Sequence, residues 1–270
     1  MRRQEISDND WAKIQSMLPS NDGRGRDYRD HRQVLCGIIW AIRTGAPWRD
    51  IPERFGPWNT CYSRHRRWTK SGLWQRMFQR LNRLRNEVEK LDWTAHFIDG
   101  TSVRAHQKAA GGSPFDEALG VSRGGYSTKV HLRIDRDGHL MHIEVTPGQE
   151  HELKHAEALM NGGAVRQSWG RPKLRPQALV GDKGYSANWF RKWAHNKHMA
   201  AVIPRSKNET RKGPFQKDLY RERELIERTI GRFKEYRRVA FRFEKLSEQY
   251  KANWLIVEIL RGVREIDRSL

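Results

Sequence analysis

The chain has 270 residues, the length of one large domain or two modest ones. It carries 52 Lys and Arg against 32 Asp and Glu, giving a formal charge of +20 and a sequence pI near 10.4. That balance is too basic for an ordinary metabolic enzyme and is the electrostatic footprint of a polyanion binder, with DNA or RNA the first candidates. No apolar run approaches the roughly 18 residues of a spanning helix, and Met1 to Ser20 lacks the apolar stretch of a signal peptide. A soluble, cytoplasmic, nucleoid-associated protein with no membrane partner is expected. Cys36 and Cys61 are too few for a disulfide framework or a Cys-x-x-Cys zinc site and read as small buried hydrophobes. With 37% hydrophobic residues and 11 Trp, the mean hydropathy of −0.90 signals a charged surface on a folded chain.

Up to Trp93 the periodicity is helical. Trp11, Ile14 and Leu18 recur in one segment, Val34, Ile38 and Ile42 in a second, and Leu73, Met77, Leu81 and Leu84 in a third. Ser7 with Asp8 and Asp10 predicts a helix start, Pro19 a stop, and Gly45 a C-cap. After Trp93 the texture changes to strands. Thr94 to Ile98 is a short strand, and Tyr126 to Ile134 and His139 to Val145 form a hairpin about Asp137-Gly138. Gln177 to Val180 and Ala200 to Ile203 follow as strands. Helical stretches fall at Glu150 to Met160, Asn188 to Lys197, Leu219 to Arg237 and Gln249 to Ile266, and flexible loops at Gly120 to Gly125 and Arg205 to Gly213. The pattern predicts an α-helical domain over residues 1–93, followed by an α/β domain over 94–270 whose mixed sheet is covered by helices.

Between Arg54 and Asn86 there is no acid, while nine positions are Arg or Lys. Within this run a helix capped near Trp58-Asn59-Thr60 would turn Cys61, His65 and Trp68 inward and Asn59, Ser63, Arg66, Arg67 and Lys70 outward. Asn and Arg read adenine and guanine edges in a major groove, so this face, with Arg64 beside it, fits a recognition helix. Trp48 to Ile51 is then expected in the other arm of a helix-turn-helix. The plainer reading is a basic surface stripe making phosphate contacts or none.

Two constellations could carry chemistry. His151-Glu152-Leu153-Lys154-His155 matches the H-E-x-x-H zinc motif, but Ala158 to Gly181 holds no Asp, Glu or His, and Asn161 stands where the extended motif has its third histidine. Zinc chemistry is not expected. The second constellation is acidic. Asp99 in Phe97-Ile98-Asp99-Gly100-Thr101 and Asp182 in Val180-Gly181-Asp182-Lys183-Gly184-Tyr185 each end a strand beside a glycine. Glu227 lies in a stretch whose Tyr220, Arg223, Glu227 and Lys234 would share a stripe of about 60° on one helix. Taken singly, Asp99 and Asp182 read as turn formers and Arg223–Glu227 as an i,i+4 ion pair. Taken together, three carboxylates without a Cys or His partner suit hard divalent ions, and two such ions can drive phosphodiester chemistry.

At these residues the sequence resembles the bacterial insertion-sequence DDE transposases of the Y-R-E-K signature group, insertion-sequence family five and its relatives. Asp99-Gly100-Thr101, Ser122-Arg123-Gly124-Gly125, Thr128-Lys129-Val130-His131, Thr146-Pro147-Gly148, Asp182-Lys183-Gly184-Tyr185 and Trp48-Arg49-Asp50-Ile51-Pro52 carry the resemblance alongside the signature, over nearly the whole chain. The resemblance implies an RNase H-like catalytic domain in which Asp99, Asp182 and Glu227 hold Mg²⁺ or Mn²⁺, two ions per site. It implies that Tyr220, Arg223 and Lys234 position the DNA backbone. The basic loop Arg205 to Gly213 matches no family motif.

The expected function is a transposase. It would bind the element's terminal inverted repeats, cut the ends and join 3′-hydroxyls to target DNA, as a homodimer or higher oligomer on double-stranded DNA. A transposase-derived DNA-binding regulator that no longer cuts, or a nuclease without strand transfer, are the alternatives.

Overall fold

The computed structural model describes residues 5–19, 30–110, 118–122, 124–206 and 215–266. The N-terminal part is helical. α1 (Asp8–Ile14) starts at Ser7, whose hydroxyl accepts from the Asp10 amide at 3.0 Å. α2 (His31–Thr44) is capped by Asp30 and closed by Gly45 in the left-handed conformation, φ +72°. A connection over 45–57 holds two 3₁₀ turns, Trp48–Asp50 and Glu53–Phe55, and leads to α3 (Trp58–Lys70) and then α4 (Leu73–Glu87). Trp48 to Ile51 is therefore no arm of a helix-turn-helix. The helix before α3 is α2, at the far end of a long connection, and the short turn, Ser71-Gly72, joins α3 to α4 instead.

Among the described residues the sheet has six strands: β1 (Ala95–Arg104), β2 (Gly120–Ser122), β3 (Gly125–Asp135), β4 (Leu140–Pro147), β5 (Ala178–Gly181) and β6 (Ala200–Val202). β3 runs antiparallel to β1 on one side and to β4 and the short β2 on the other; β5 lies parallel to β1, and β6 parallel to β5. Three antiparallel strands followed by two parallel ones, in the order β4-β3-β1-β5-β6, make the RNase H-like sheet. Between and after the strands come α5 (Glu152–Asn161), α6 (Asn188–Asn196), α7 (Lys217–Arg221), α8 (Glu224–Lys234), α9 (Arg237–Ala240) and α10 (Ser247–Ile266).

Strand alternation sorts the core into two layers. Phe97 and Val180 face a large cluster with Phe233 and Trp254, while Ile98 and Leu179 face a second cluster with Leu159, Tyr185 and Phe190. α5 and α6 thus cover one face of the sheet and α8 and α10 the other. The large cluster does not stop at the sheet. It continues through Trp74 and Phe78 on α4 to Ile38 on α2, so the N-terminal helices share a core with α10. Cys36 and Cys61 are buried in that core. Among the described residues no helix is long and apolar enough to cross a membrane.

Three expectations need correction. The first strand runs six residues further than Thr94–Ile98, because Asp99 to Arg104 keep pairing with Leu132 to Ser127 of β3. The stretch Gly120 to Gly125 is partly β2, hydrogen-bonded to the start of β3, with Arg123 outside the described residues. Leu219 to Arg237 is three helices, broken at Glu222-Arg223 and at Glu235-Tyr236. At the first break Glu222 is held by Arg136 of the β3–β4 hairpin, with contacts of 2.6 and 2.7 Å. The loop Arg205 to Gly213 lies outside the described residues beyond Ser206.

Candidate active site

Asp99 stands in mid-strand, and its position is set by the neighbouring strand's end. The last parallel pair between β1 and β5 is Ile98 with Gly181. Asp99 and Asp182 are the next residues on each chain, so the two carboxylates meet at the rim where β5 stops. Asp99 Oδ1 accepts from the Gly100 amide at 2.8 Å, and Asp182 Oδ1 accepts from the Gly184 amide at 2.8 Å to cap a 3₁₀ turn. Burial pushes the Asp99 carboxyl up to about 6; the Gly100 amide and Arg223 work against that shift, and Asp182 and Glu152 add to it.

On the face of the sheet that carries Phe97 and Val180, and to which Asp99 therefore also points, α8 brings the signature residues. The break before α8 turns Arg223 toward the rim, where its guanidinium lies 3.4 Å from Asp99 Oδ2 and donates its second nitrogen to Glu227. Arg223 therefore bridges the two acids. Glu227 is half-exposed, and Lys234, two turns on, donates to Thr101 Oγ1 at 2.7 Å. Burial lowers the Lys234 ammonium from its ordinary value. Tyr220, on α7, packs against Phe215 with ring centroids 5.3 Å apart. The four signature residues thus do not project from one continuous helix: Tyr220 belongs to α7, Arg223 precedes α8, and only Glu227 and Lys234 lie within it. Asp99, Asp182 and Glu227 are not gathered within 4.8 Å of one another, since Arg223 is lodged between Asp99 and Glu227.

One carboxylate at this rim was missed by sequence reasoning. Glu152, at the first position of α5, reaches over both glycines that follow the aspartates. A Cβ on Gly100 would stand 2.7 Å from its Oε1, and one on Gly184 would stand 3.2 Å from its Oε2. Asp99-Gly100 and Asp182-Lys183-Gly184 thus need their glycines to admit the side chain. Lys129 Nζ lies 3.4 Å from the same carboxylate. Beneath them Tyr185 is fully buried, its hydroxyl has no partner among the described residues, and its ionisation is pushed up by burial and by Glu152, Asp99 and Asp182. The signal available in the sequence was a glycine one residue after Asp99 and two after Asp182.

The histidines flanking Glu152 do not build a zinc site. His151 caps α5, and His155 pairs with Glu150 at 3.6 Å and packs on His131 with centroids 5.0 Å apart. Among the described residues the one tight cluster of three metal-capable groups is Asp135, Asp137 and His139. Asp135 already accepts from the amides of Asp92, Asp137 and His139, so the cluster fastens the β3–β4 hairpin.

On α3, Asn59, Ser63, Arg66, Arg67 and Lys70 are exposed, and Cys61, His65 and Trp68 are buried. Arg64 is the exception to its predicted role. It is only 8% exposed, with Nη1 2.6 Å from His31 Nδ1 and its guanidinium 5.7 Å from the centre of the Trp68 ring, so it belongs to the packing between α2 and α3.

A family model described as "Transposase DDE domain" matches residues 94–260, more than half of the chain, and a second, "Putative transposase of IS4/5 family", matches residues 6–78. The chain belongs to the DDE-domain transposases of bacterial insertion sequences, which are metal-dependent DNA transposases. Among curated relatives, "Uncharacterized protein y4sN" of Sinorhizobium fredii is 36% identical over 107 residues, covering 39% of this chain and 81% of that protein. "Insertion element IS402 uncharacterized 16.2 kDa protein" of Burkholderia cepacia is 31% identical over 112 residues, covering 39% and 76%. Solved structures with a distant likeness include the Mos1 strand transfer complex, at TM-score 0.33 and 12% identity over 96% of this chain and 82% of that one. The Mos1 paired-end complex with the left transposon end follows at TM-score 0.35 and 11% identity, with the same coverage.

Proposed function

We propose that Asp99, Asp182 and Glu227 are the metal-holding acids of a transposase that binds terminal inverted repeats, cleaves the element ends and transfers the 3′-hydroxyl strands into target DNA. The observation that carries this reading is the meeting of Asp99 and Asp182 at the point where β5 stops, with Arg223 linking Asp99 to Glu227. The donors are all carboxylate oxygens, with no thiolate or imidazole among them, which fits Mg²⁺ or Mn²⁺, two ions per site, and not zinc. Glu152 adds a fourth oxygen donor within the same rim. When bound, the ions supply an activated oxygen nucleophile and charge stabilisation at the phosphorus.

The chain's own residues supply position and charge. Arg223 presents a planar fork able to engage a phosphate with two nitrogens, and Lys234, held by Thr101, keeps an ammonium beside Asp99's strand. Tyr220, on α7, joins them in positioning the DNA backbone. Such cations act most where negative charge grows in the transition state. The exposed face of α3, with Asn59, Ser63, Arg66, Arg67 and Lys70, reads the inverted repeat, within a DNA-binding unit over residues 1–93 that precedes the catalytic unit over 94–270. The enzyme works as a homodimer or higher oligomer on DNA in the cytoplasm, at the nucleoid.

The test is to incubate purified protein and Mg²⁺ with a cut-end duplex and a supercoiled plasmid. Joined products support strand transfer, nicks alone identify a nuclease, and mobility shifts without either identify a binder that no longer cuts.

A further inference from the structure

A cavity of about 840 Å³ opens between the edge of α3, the 3₁₀ turn Trp48–Asp50 and the start of α10, a volume in the range of sites for small molecules. Nothing in the acid site uses it. Trp58, Tyr62 and Arg66, each four residues apart, put one edge of α3 along its wall. Trp58 and Tyr62 are 37% and 38% exposed, a large share for aromatic rings inside a cleft. Trp48 lies behind them, 5.5 Å from the Tyr62 ring at 62°.

The polar lining is selective. Arg49, Arg66, Lys108 and Lys245 are exposed around the mouth, while the one carboxylate in the wall, Glu244, is committed to Arg238 at 2.9 Å. In the floor Gln249 is 9% exposed, and its Nε2 has no partner among the described residues. A buried amide donor without an acceptor is costly, and once the Gln249 amide turns toward the cavity a ligand with a carbonyl or ring nitrogen on its edge would satisfy it. Flat exposed rings, a buried donor and a cationic mouth together match one chemistry. The ligand has a planar heteroaromatic body that stacks, an acceptor on its edge and a phosphate at its tail.

We propose that this cavity binds a nucleobase of DNA that has left the duplex stack, with its ring against Trp58 and Tyr62, its edge at Gln249 and its flanking phosphates among Arg49, Arg66, Lys108 and Lys245. The proposal rests on the reading of the chain as a DNA-binding transposase and places a second contact beside the exposed face of α3, since Arg66 belongs to both. Stacking of this kind holds single strands with little regard to sequence, whereas edge contacts on α3 read paired DNA.

The test compares two fluorescein-labelled probes on the full-length protein by anisotropy. One is a ten-residue oligo(dT), and the other is a ten-residue strand of abasic sites with the same phosphates. A random duplex is measured in parallel. The base-bearing strand is expected to bind about five- to a hundredfold tighter than the abasic one. Trp58→Ala, Tyr62→Ala and the near-isosteric Gln249→Leu are each expected to shrink that ratio severalfold while duplex affinity stays within about threefold. Equal binding of the two strands with the duplex still bound would overturn the base site and leave the DNA-binding reading standing. A ratio unchanged in all three variants would place the stacked base elsewhere and also overturn it. Failure to bind any of the three DNAs would overturn the DNA-binding reading, and the base site with it.

Discussion

Glu258 on α10 and Arg85 on α4 fasten the N-terminal helices to the sheet, and removing Glu258 tests how far the two halves of the chain depend on each other. The pair lies at 2.7 Å with side chains 0% and 1% exposed. Glu258 also takes the Arg261 guanidinium at 3.1 Å and the Leu140 amide of β4 at 3.3 Å, while Asn82 of α4 donates to the Leu140 carbonyl at 2.9 Å. Glu258→Leu leaves a buried guanidinium with Asn82 and the partly exposed Glu265, the latter at 2.8 Å. Breaking a buried pair from one side costs roughly 3–5 kcal/mol, and the remaining partners put this case near the lower end. At about 2–4 °C per kcal/mol for a chain of this size, the melting midpoint should fall by roughly 6–12 °C. Arg85→Leu/Glu258→Leu, which removes both charges, should cost less than the sum of the single changes. Because the large core is continuous from α2 to α10, calorimetry should show one transition in wild type and variants alike. A loss below about 1 kcal/mol, or separate melting of two units, would refute the reasoning.

Asp99→Ala, Asp182→Ala and Glu227→Ala should each lower cleavage at least a hundredfold, the scale of several kcal/mol of charge stabilisation, while duplex binding persists; equal loss of both in gel-shift and cleavage assays would make the acids structural. Glu152→Gln should weaken Mn²⁺ affinity in a calorimetric titration of the free protein, and an unchanged affinity would remove Glu152 from the ion site. Arg66→Ala or Arg67→Ala should cost roughly 1–3 kcal/mol of discrimination between end DNA and scrambled duplex, whereas Arg64→Ala should lower the melting midpoint and leave discrimination intact. Burial opposes the charge on His139, but hydrogen bonds to Asp135 and Glu265 outweigh it and hold the imidazolium to about pH 9; burial likewise opposes Glu265, which His139 and Arg85 bring down to about 2. Their stabilisation is therefore complete between about pH 4.5 and 6.5, fading as pH rises toward 9 and as it falls toward 2, and His139→Leu should flatten the alkaline decline in urea midpoints.

Periodicity exposed most of the helices because their apolar stripes are continuous, and the Asp137-Gly138 turn marked the hairpin because only a glycine-like φ, here +85°, closes it. The first strand was cut short because Gly100, Thr101 and Ser102 have the composition of a turn. What keeps them extended is pairing to β3, about 30 positions away in sequence, which no local pattern contains. The break at Glu222-Arg223 escaped for a similar reason. The stretch is rich in helix formers, and the contacts that accompany the break, Arg136 with Glu222 and Asp99 with Arg223, come from other elements.

Arg64 and Glu152 show the limit from both directions. Within α3, Arg64 sits next to the exposed positions in sequence, and charge alone assigns it to the basic face; the helix turns it instead toward His31, where α2 waits. Glu152 was read inside a local histidine motif, and its partners are two glycines on β1 and after β5, brought to it only once the sheet has formed. The glycines were visible, and so were the acids beside them. That a small residue beside an acid leaves room for another acid is a packing statement, and it becomes legible only when α5 is in place against the rim of β1 and β5. The carboxylates at that rim, Asp99, Asp182, Glu152 and Glu227, face Arg223, Lys129 and Lys234, so the rim is close to charge balance, and an incoming phosphate must compete with the acids for the same cations.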